Sequence, residues 1–430
     1  MFTIDRGLAT LNLWPGVYAN FIFNIPQIAV GLVMPNDVLI SLILAWVIFG
    51  VLYQGIGVAV GVVPYTPGME FVWPWETYPG TQMPFPYREL AASGIAMGII
   101  IWTLTRNRRR IREVFSTLWK KDIDERGLSL RMVSALLVIG GLGWWVLMLM
   151  EGADPLLAFL VPIWAFLFNI LYARVYAEVF WHVGTGWSST WDVTYTVGRA
   201  LYGWQEPTWD QPMTNPAWFT VARHMSNLDN WNVSFSPMSA GHMVTLYKLA
   251  YDLKMKLKDL LIALIIGMIV LAFVFVPVDM FFIFHTKGGL SQLGQLYGWW
   301  PWIAAGRYHR GRWVIEGLTI EYNLGVMWGV GILLALALYV LKTRVPLFWF
   351  VNVPALFVGI TIPDYMWMTS LIALIIKYIT IRTVGLRKYE QYAMPIVAGL
   401  ILGFGAMWLP AALINLFGVV IPRSINLYQP

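Results

Sequence analysis

The chain has 430 residues, 58% of them hydrophobic and only 12% charged, with a mean hydropathy of +0.64. That is more apolar surface than a water-soluble fold of this length buries, so the composition defines an integral membrane protein. The net charge of +6 does not imply nucleic acid, because the basic residues mostly flank apolar segments, where they set orientation. Cysteine is absent, which excludes disulfides, thiolate metal sites and cysteine nucleophiles.

Apolar windows recur from end to end, so residues 1–430 read as a single all-α domain, a polytopic helix bundle of about nine or ten spans in the cell membrane. Residues 14–34 are apolar but interrupted by Asn20, Asn24, Pro26 and Gln27, which fits a broken span, an interfacial helix or a re-entrant piece. Asp5, Arg6 and Trp14-Pro15 do not resemble a cleaved signal peptide. Residues 37–63 form a span in which Gly57 and Gly61 have the spacing that admits a close helix neighbour. The loop 64–88 carries Pro64, Pro67, Pro74, Pro79, Pro84 and Pro86 among aromatic residues. It suits either an ordered cap at headgroup level or a lid over a path.

A span at 89–105, with Gly94 and Gly98, leads into the basic run Arg106, Arg108, Arg109, Arg110, Arg112, Lys120, Lys121, Arg126 and Arg131. Spans at 130–150 and 155–181 follow as a hairpin. The connection 182–258 is rich in tryptophan and predicts short helices along a membrane surface. A span at 259–284 contains Pro277 and Asp279, and 285–321 is a polar, aromatic loop. The spans 322–341 (with Gly325 and Gly329), 345–362, 366–381 and 393–417 complete the bundle. Placing the basic loop 106–131 in the cytoplasm puts the clusters at 248–258, 342–344 and 382–388 on the same side and the loops 64–88 and 285–321 outside.

Ionisable residues inside spans are costly and tend to face an interior path. Arg174 and Glu178 are four apart, share a helix face and can pair, or both can snorkel to the interface. Asp279 follows Pro277, as in broken helices that bind ions, or else marks the outer interface. Lys377 lies within its span, where a carboxylate such as Glu178 or Asp279 would keep it charged. The five histidines stand in loops without metal-ligand spacing, and no phosphate-binding or nucleophile motif occurs. No metal, cofactor or enzymatic chemistry is expected.

Four stretches carry a resemblance: PYRELAASGIAMGIIIWTLTRNRRRIREVF at 86–115, LSLRM at 128–132, YARVYAE at 172–178 and KYITIRTVGLRKYEQYAMPIVAGLILG at 377–403. In this order they resemble a family of prokaryotic integral membrane proteins distantly similar to the oligopeptide transporters. The resemblance implies a secondary transporter that moves peptides or metal chelates on an ion gradient. Position by position, it carries over Arg174, Glu178, Lys377, Arg382, Gly385, Tyr389 and Pro395. The chain departs from that pattern at Val179, Phe180 and Trp181, where small residues would stand, and at Val384, which replaces one of two glycines.

Two expectations follow. In one, the chain moves a small peptide-like or chelate solute, with Glu178 binding a proton or cation, Lys377 as counter-charge and Asp279 near the outer mouth. In the other, the chain is a non-transporting scaffold or anchor subunit of a larger membrane complex, since aromatic residues are enriched in interface cores. The partners implied are the lipid bilayer, a solute with its coupling ion, and further copies or other membrane subunits; nucleic acid is not among them.

Overall fold

The computed structural model describes residues 2–3, 17, 22–63, 90–179, 197, 201–203, 217, 220–221, 224, 240–275, 277–278, 324–361, 363–415 and 417–418. Asp279 and the loops 64–88 and 285–321 lie outside the described residues. The architecture is all-α, apart from two pairs of two-residue strands, Phe2–Thr3 with Ile22–Phe23 and Asp124–Glu125 with Leu128–Ser129. Six helices are long and apolar enough to cross a membrane: Asn36–Ala59 (α2), Leu130–Met150 (α5), Pro155–Val179 (α6), Leu257–Phe275 (α8), Met366–Val384 and Leu386–Asn415 (α12). The fifth of these is part of Pro363–Val384 (α11). The other helices are Ile25–Val33 (α1), 90–106 (α3), Arg108–Ser116 (α4), Ala240–Asp252 (α7), Leu324–Arg344 (α9) and Val353–Thr361 (α10).

Local chemistry sets the boundaries. The α5–α6 hairpin turns on Glu151, Gly152, Ala153, Asp154 and Pro155. Gly152 takes φ +83°, the Ala153 amide returns to the Met148 carbonyl, and the Asp154 carboxylate caps the Leu157 amide at 2.9 Å. Glycine after one helix, an aspartate cap and proline at the first position of the next are the residues such a turn requires. Helix α2 is α-helical to Trp46 and π-helical over Val47–Ile56, a widened geometry that is uncommon in helices.

The core joins α1, α2, α3, α6, α9, α10 and α11. Its tightest seam lies between α3 and α9, where Gly98 meets Ala335 and Gly94 meets Gly331. The close packing expected of Gly94 and Gly98 is therefore present, whereas among the described residues nothing comes within 4 Å of a Cβ at Gly329, and Gly57 faces Val63 of its own turn. By contrast, none of the hydropathy window of α8 and only 6% of that of α12 is buried. Their large apolar side chains point outward, as they must where lipid is the solvent.

All nine residues of α10 are buried. At about 1.5 Å per residue it spans less than half of a bilayer core about 30 Å thick, so the apolar run 345–362 is not a full crossing. It opens with a 3₁₀ turn at Pro346–Phe348 and becomes α-helical only at Val353. Helix α10 rises beside Leu42 and Ala45 of α2, and α11 returns along α2 with Trp367 stacked on Trp46 at 3.8 Å. Within the run 14–34 the described helix is α1, also nine residues long, and residues 14–16 and 18–21 lie outside the described residues.

The basic loops meet at one end of the bundle. Arg126 donates to the Tyr251 carbonyl and its own carbonyl accepts from the Leu257 amide, while Arg110 bridges Glu113 and Glu125, each at 3.0 Å. Asp122 organises the turn, accepting from the Ser129 hydroxyl and from the Arg131 and Ile123 amides. These bonds, the Ser129 hydroxyl first, hold its carboxyl below the usual aspartate range. A depressed folded-state pKa stabilises the loop above the unfolded value and is lost as pH falls through the folded one. Acidification below the ordinary aspartate range is expected to speed exchange of the Arg131 amide, and Asp122→Asn to show fast exchange already at neutral pH. A pH-independent Arg131 amide in the native chain would contradict this.

Candidate functional site

Helix α6 delivers Arg174 and Glu178 to the basic end, one turn apart. Arg174 Nη2 pairs with Glu178 Oε1, the two side chains being 41% and 23% exposed. The second carboxylate oxygen accepts from Asn352 Nδ2 at 3.0 Å. Asn352 is the cap of α10: its Oδ1 accepts from the Ala355 amide at 2.9 Å, and its own amide donates to Ser41 Oγ at 2.7 Å. Ser41 Oγ in turn donates to the Phe350 carbonyl at 2.9 Å. Three helices, α2, α6 and α10, are thus tied through Glu178, and the positive end of the α10 dipole faces its carboxylate.

Tyr339 of α9, only 6% exposed, brings its hydroxyl beside both Arg174 and Glu178. Its ring stacks on Trp102 at 4.8 Å with the planes nearly parallel, and Arg106 lies 5.4 Å over Trp102. The Tyr339 hydroxyl and the Arg174 guanidinium interact with each other, yet among the described residues Tyr339 Oη and Arg174 Nε have no partner of good hydrogen-bond geometry. Buried polar atoms are normally satisfied, and an unsatisfied pair at one place requires an explanation.

Lys377 does not join this cluster. Its ammonium donates to the Met34 carbonyl at 2.7 Å, and the Tyr389 hydroxyl donates to the Leu32 carbonyl at 2.5 Å. Together they close the C-terminal end of α1, where a cation is favoured by the helix dipole. Among the described residues no ion pair links Lys377 to Glu178. A separate interhelical pair joins Lys342 of α9 to Asp37 of α2 at 2.7 Å. Of the four expected residues, the fold brings Arg174 and Glu178 together, places Lys377 on a neighbouring backbone carbonyl, and leaves Asp279 outside the described residues.

Asn352, Ser41 and Tyr339 were not anticipated as site residues. One signal was available: asparagine followed by Val353-Pro354 is a helix-start signature inside an otherwise uniform apolar run.

At the opposite end, the α5–α6 turn holds part of the long connection. Asp154 accepts from the Tyr202 hydroxyl and its amide donates to the Ala217 carbonyl, Val221 packs against Met148 and Leu157, and His224 Nε2 lies 2.9 Å from Glu151. The connection 182–258 is therefore not confined to the basic surface: Tyr202, Ala217, Val221 and His224 stand at the far end, while α7 packs back on α6 near Tyr176 and Asn169. Trp144 Nε1 donates to His224 Nδ1 at 3.1 Å. An indole N–H only donates, so the imidazole proton sits on Nε2 and is donated to Glu151. His224→Phe removes both bonds and is expected to speed exchange of the Asp154 amide; unchanged exchange would show that the contact does not hold the segment. Among the described residues no three His, Asp or Glu side chains gather as a metal site.

The fold and this cluster define a polytopic helical membrane protein with a charged network at the head of a buried half-helix. The chain belongs to a family of unknown function, DUF6785, whose model matches residues 8–426. No curated protein and no solved structure matches it.

Proposed function

We propose that the chain is a secondary transporter, coupled to protons or another ion, for a small peptide-like or chelate solute. The observation that carries this reading is Glu178: a carboxylate bonded by Arg174 and Asn352 at the N-terminal end of a half-helix whose every residue is buried. Broken helices that end inside the membrane are where secondary transporters place substrate and coupling groups. Glu178 is the coupling residue and Arg174 its counter-charge; Lys377 locks the end of α1 against α11.

The six crossing helices, 90–106, α9 and the two half-length helices fit about nine or ten membrane segments. The basic end faces the cytoplasm, in keeping with the bias of short basic loops. The resemblance to oligopeptide transporters supports the solute class.

The test is uptake by the full chain in proteoliposomes, with trialanine and iron citrate as probes and an imposed proton or sodium gradient. Accumulation that one gradient accelerates and its collapse abolishes is the expected result. Absence of gradient-dependent flux for both probes would defeat the proposal. The unburied outer faces of α8 and α12 also suit a subunit that anchors a larger complex. Isolation only as an obligate hetero-complex, with no flux, would favour that reading.

A further inference from the structure

The groups that reach the Glu178 oxygens are hydrogen-bond donors: the Arg174 guanidinium and the Asn352 amide. A hard cation requires a shell of oxygen ligands, and this arrangement is the reverse, a receptor for carboxylate already occupied by a carboxylate of its own chain. The receptor also has capacity left over. Among the described residues Arg174 Nε and the Tyr339 hydroxyl have no well-aligned acceptor, and Tyr339, more than nine-tenths buried, lies within side-chain hydrogen-bonding reach of the same guanidinium, which is itself a donor and leaves the Tyr339 proton unmet. With the 41% exposure of Arg174 leaving a way in, the unmet donors call for an anionic oxygen ligand.

We infer that Arg174, with Tyr339 and the N-terminal end of α10, binds a carboxylate of the transported solute, and that Glu178 competes with that carboxylate for the same guanidinium. The inference rests on the transport reading and names its substrate class.

The charges balance in both states. Without solute, ionised Glu178 neutralises Arg174. When Glu178 takes a proton from the aqueous side, its carboxyl becomes neutral and releases the guanidinium, and the solute carboxylate takes its place. No unpaired charge is buried at either stage, which is the condition a low-dielectric site imposes. On release the solute leaves, the proton is given up to water and Glu178 closes again on Arg174, so one proton accompanies each carboxylate. Among the described residues of the packed helices, Asp37 pairs with Lys342, Lys377 donates to the Met34 carbonyl, Arg106 lies over Trp102, and His242 lies beside Tyr176. Glu178 is left as the group that exchanges partners.

The experiment is equilibrium binding to the purified full chain, read as thermal stabilisation by trialanine, by its C-terminal amide and by citrate, with proton uptake on binding followed in weakly buffered solution. The carboxylates are expected to bind with uptake of a proton, and the amide to bind weakly. Glu178→Gln is expected to raise carboxylate affinity by about tenfold and to abolish the proton uptake. Tyr339→Phe weakens binding several-fold without changing the proton uptake, and Arg174→Gln abolishes binding. Equal binding of acid and amide, unchanged proton uptake in Glu178→Gln, or no response to either carboxylate in a cooperatively melting protein would each overturn the inference. Carboxylate binding without gradient-driven uptake would keep the site and defeat transport. Uptake of the amide as fast as the acid would keep transport and defeat the site.

Discussion

Arg174→Leu is expected to lower stability by about 2 kcal/mol or more, and adding Glu178→Leu is expected to recover part of that loss. Removing the guanidinium leaves Glu178 with Asn352 alone, a charge at the head of a buried half-helix without its partner. Removing both side chains leaves no charge to solvate. The 41% exposure of Arg174 keeps the effect below the about 3–5 kcal/mol typical of breaking a fully buried pair. Melting of the two single variants and the double variant in one detergent reads the cycle directly. Additive losses would mean that the pair contributes nothing as a pair.

Gly331→Leu should have the largest effect of any single glycine substitution on α9. A Cβ there would stand 2.6 Å from Gly94 Cα and 2.6 Å from the Leu90 carbonyl oxygen. Both are backbone atoms of a neighbouring helix and cannot swing aside, so α3 and α9 must separate, at a cost of about 1–3 kcal/mol or more. Gly329→Leu, two positions earlier, meets nothing within 4 Å and is expected to be neutral. Folded yield and melting temperature compare them. Equal behaviour of the two variants would show that the seam is not tight.

These residues also mark what sequence reading reaches. The α5–α6 hairpin was legible because its turn is written in local chemistry, Gly152, Asp154 and Pro155, each needed by the backbone where it stands. Gly94 and Gly98 were legible as a small face, but their spacing says nothing of what opposes them, which is Gly331 and Ala335. The half-helix α10 was hidden because 345–362 is uniformly apolar, and length alone suggests a crossing. Asn352-Val353-Pro354 was the only mark of its start. Arg174 and Glu178 were found because a four-residue spacing fixes their geometry. Lys377 was found as a buried charge, but its acceptor is a backbone carbonyl at a helix end, which side-chain patterns cannot reveal. The places of Tyr202 and His224 at the far end depend on tertiary contacts with Asp154 and Glu151, and no local period records them.

Whether the network around Glu178 works in transport or merely holds helices together is measured by uptake in the Arg174→Gln/Glu178→Gln variant. The double variant keeps polar side chains of similar size and removes both charges, so the helices should remain assembled. The predicted result is a protein that purifies and melts like the native chain but accumulates neither trialanine nor iron citrate on an imposed gradient. Native rates of gradient-driven uptake in that variant would contradict the account.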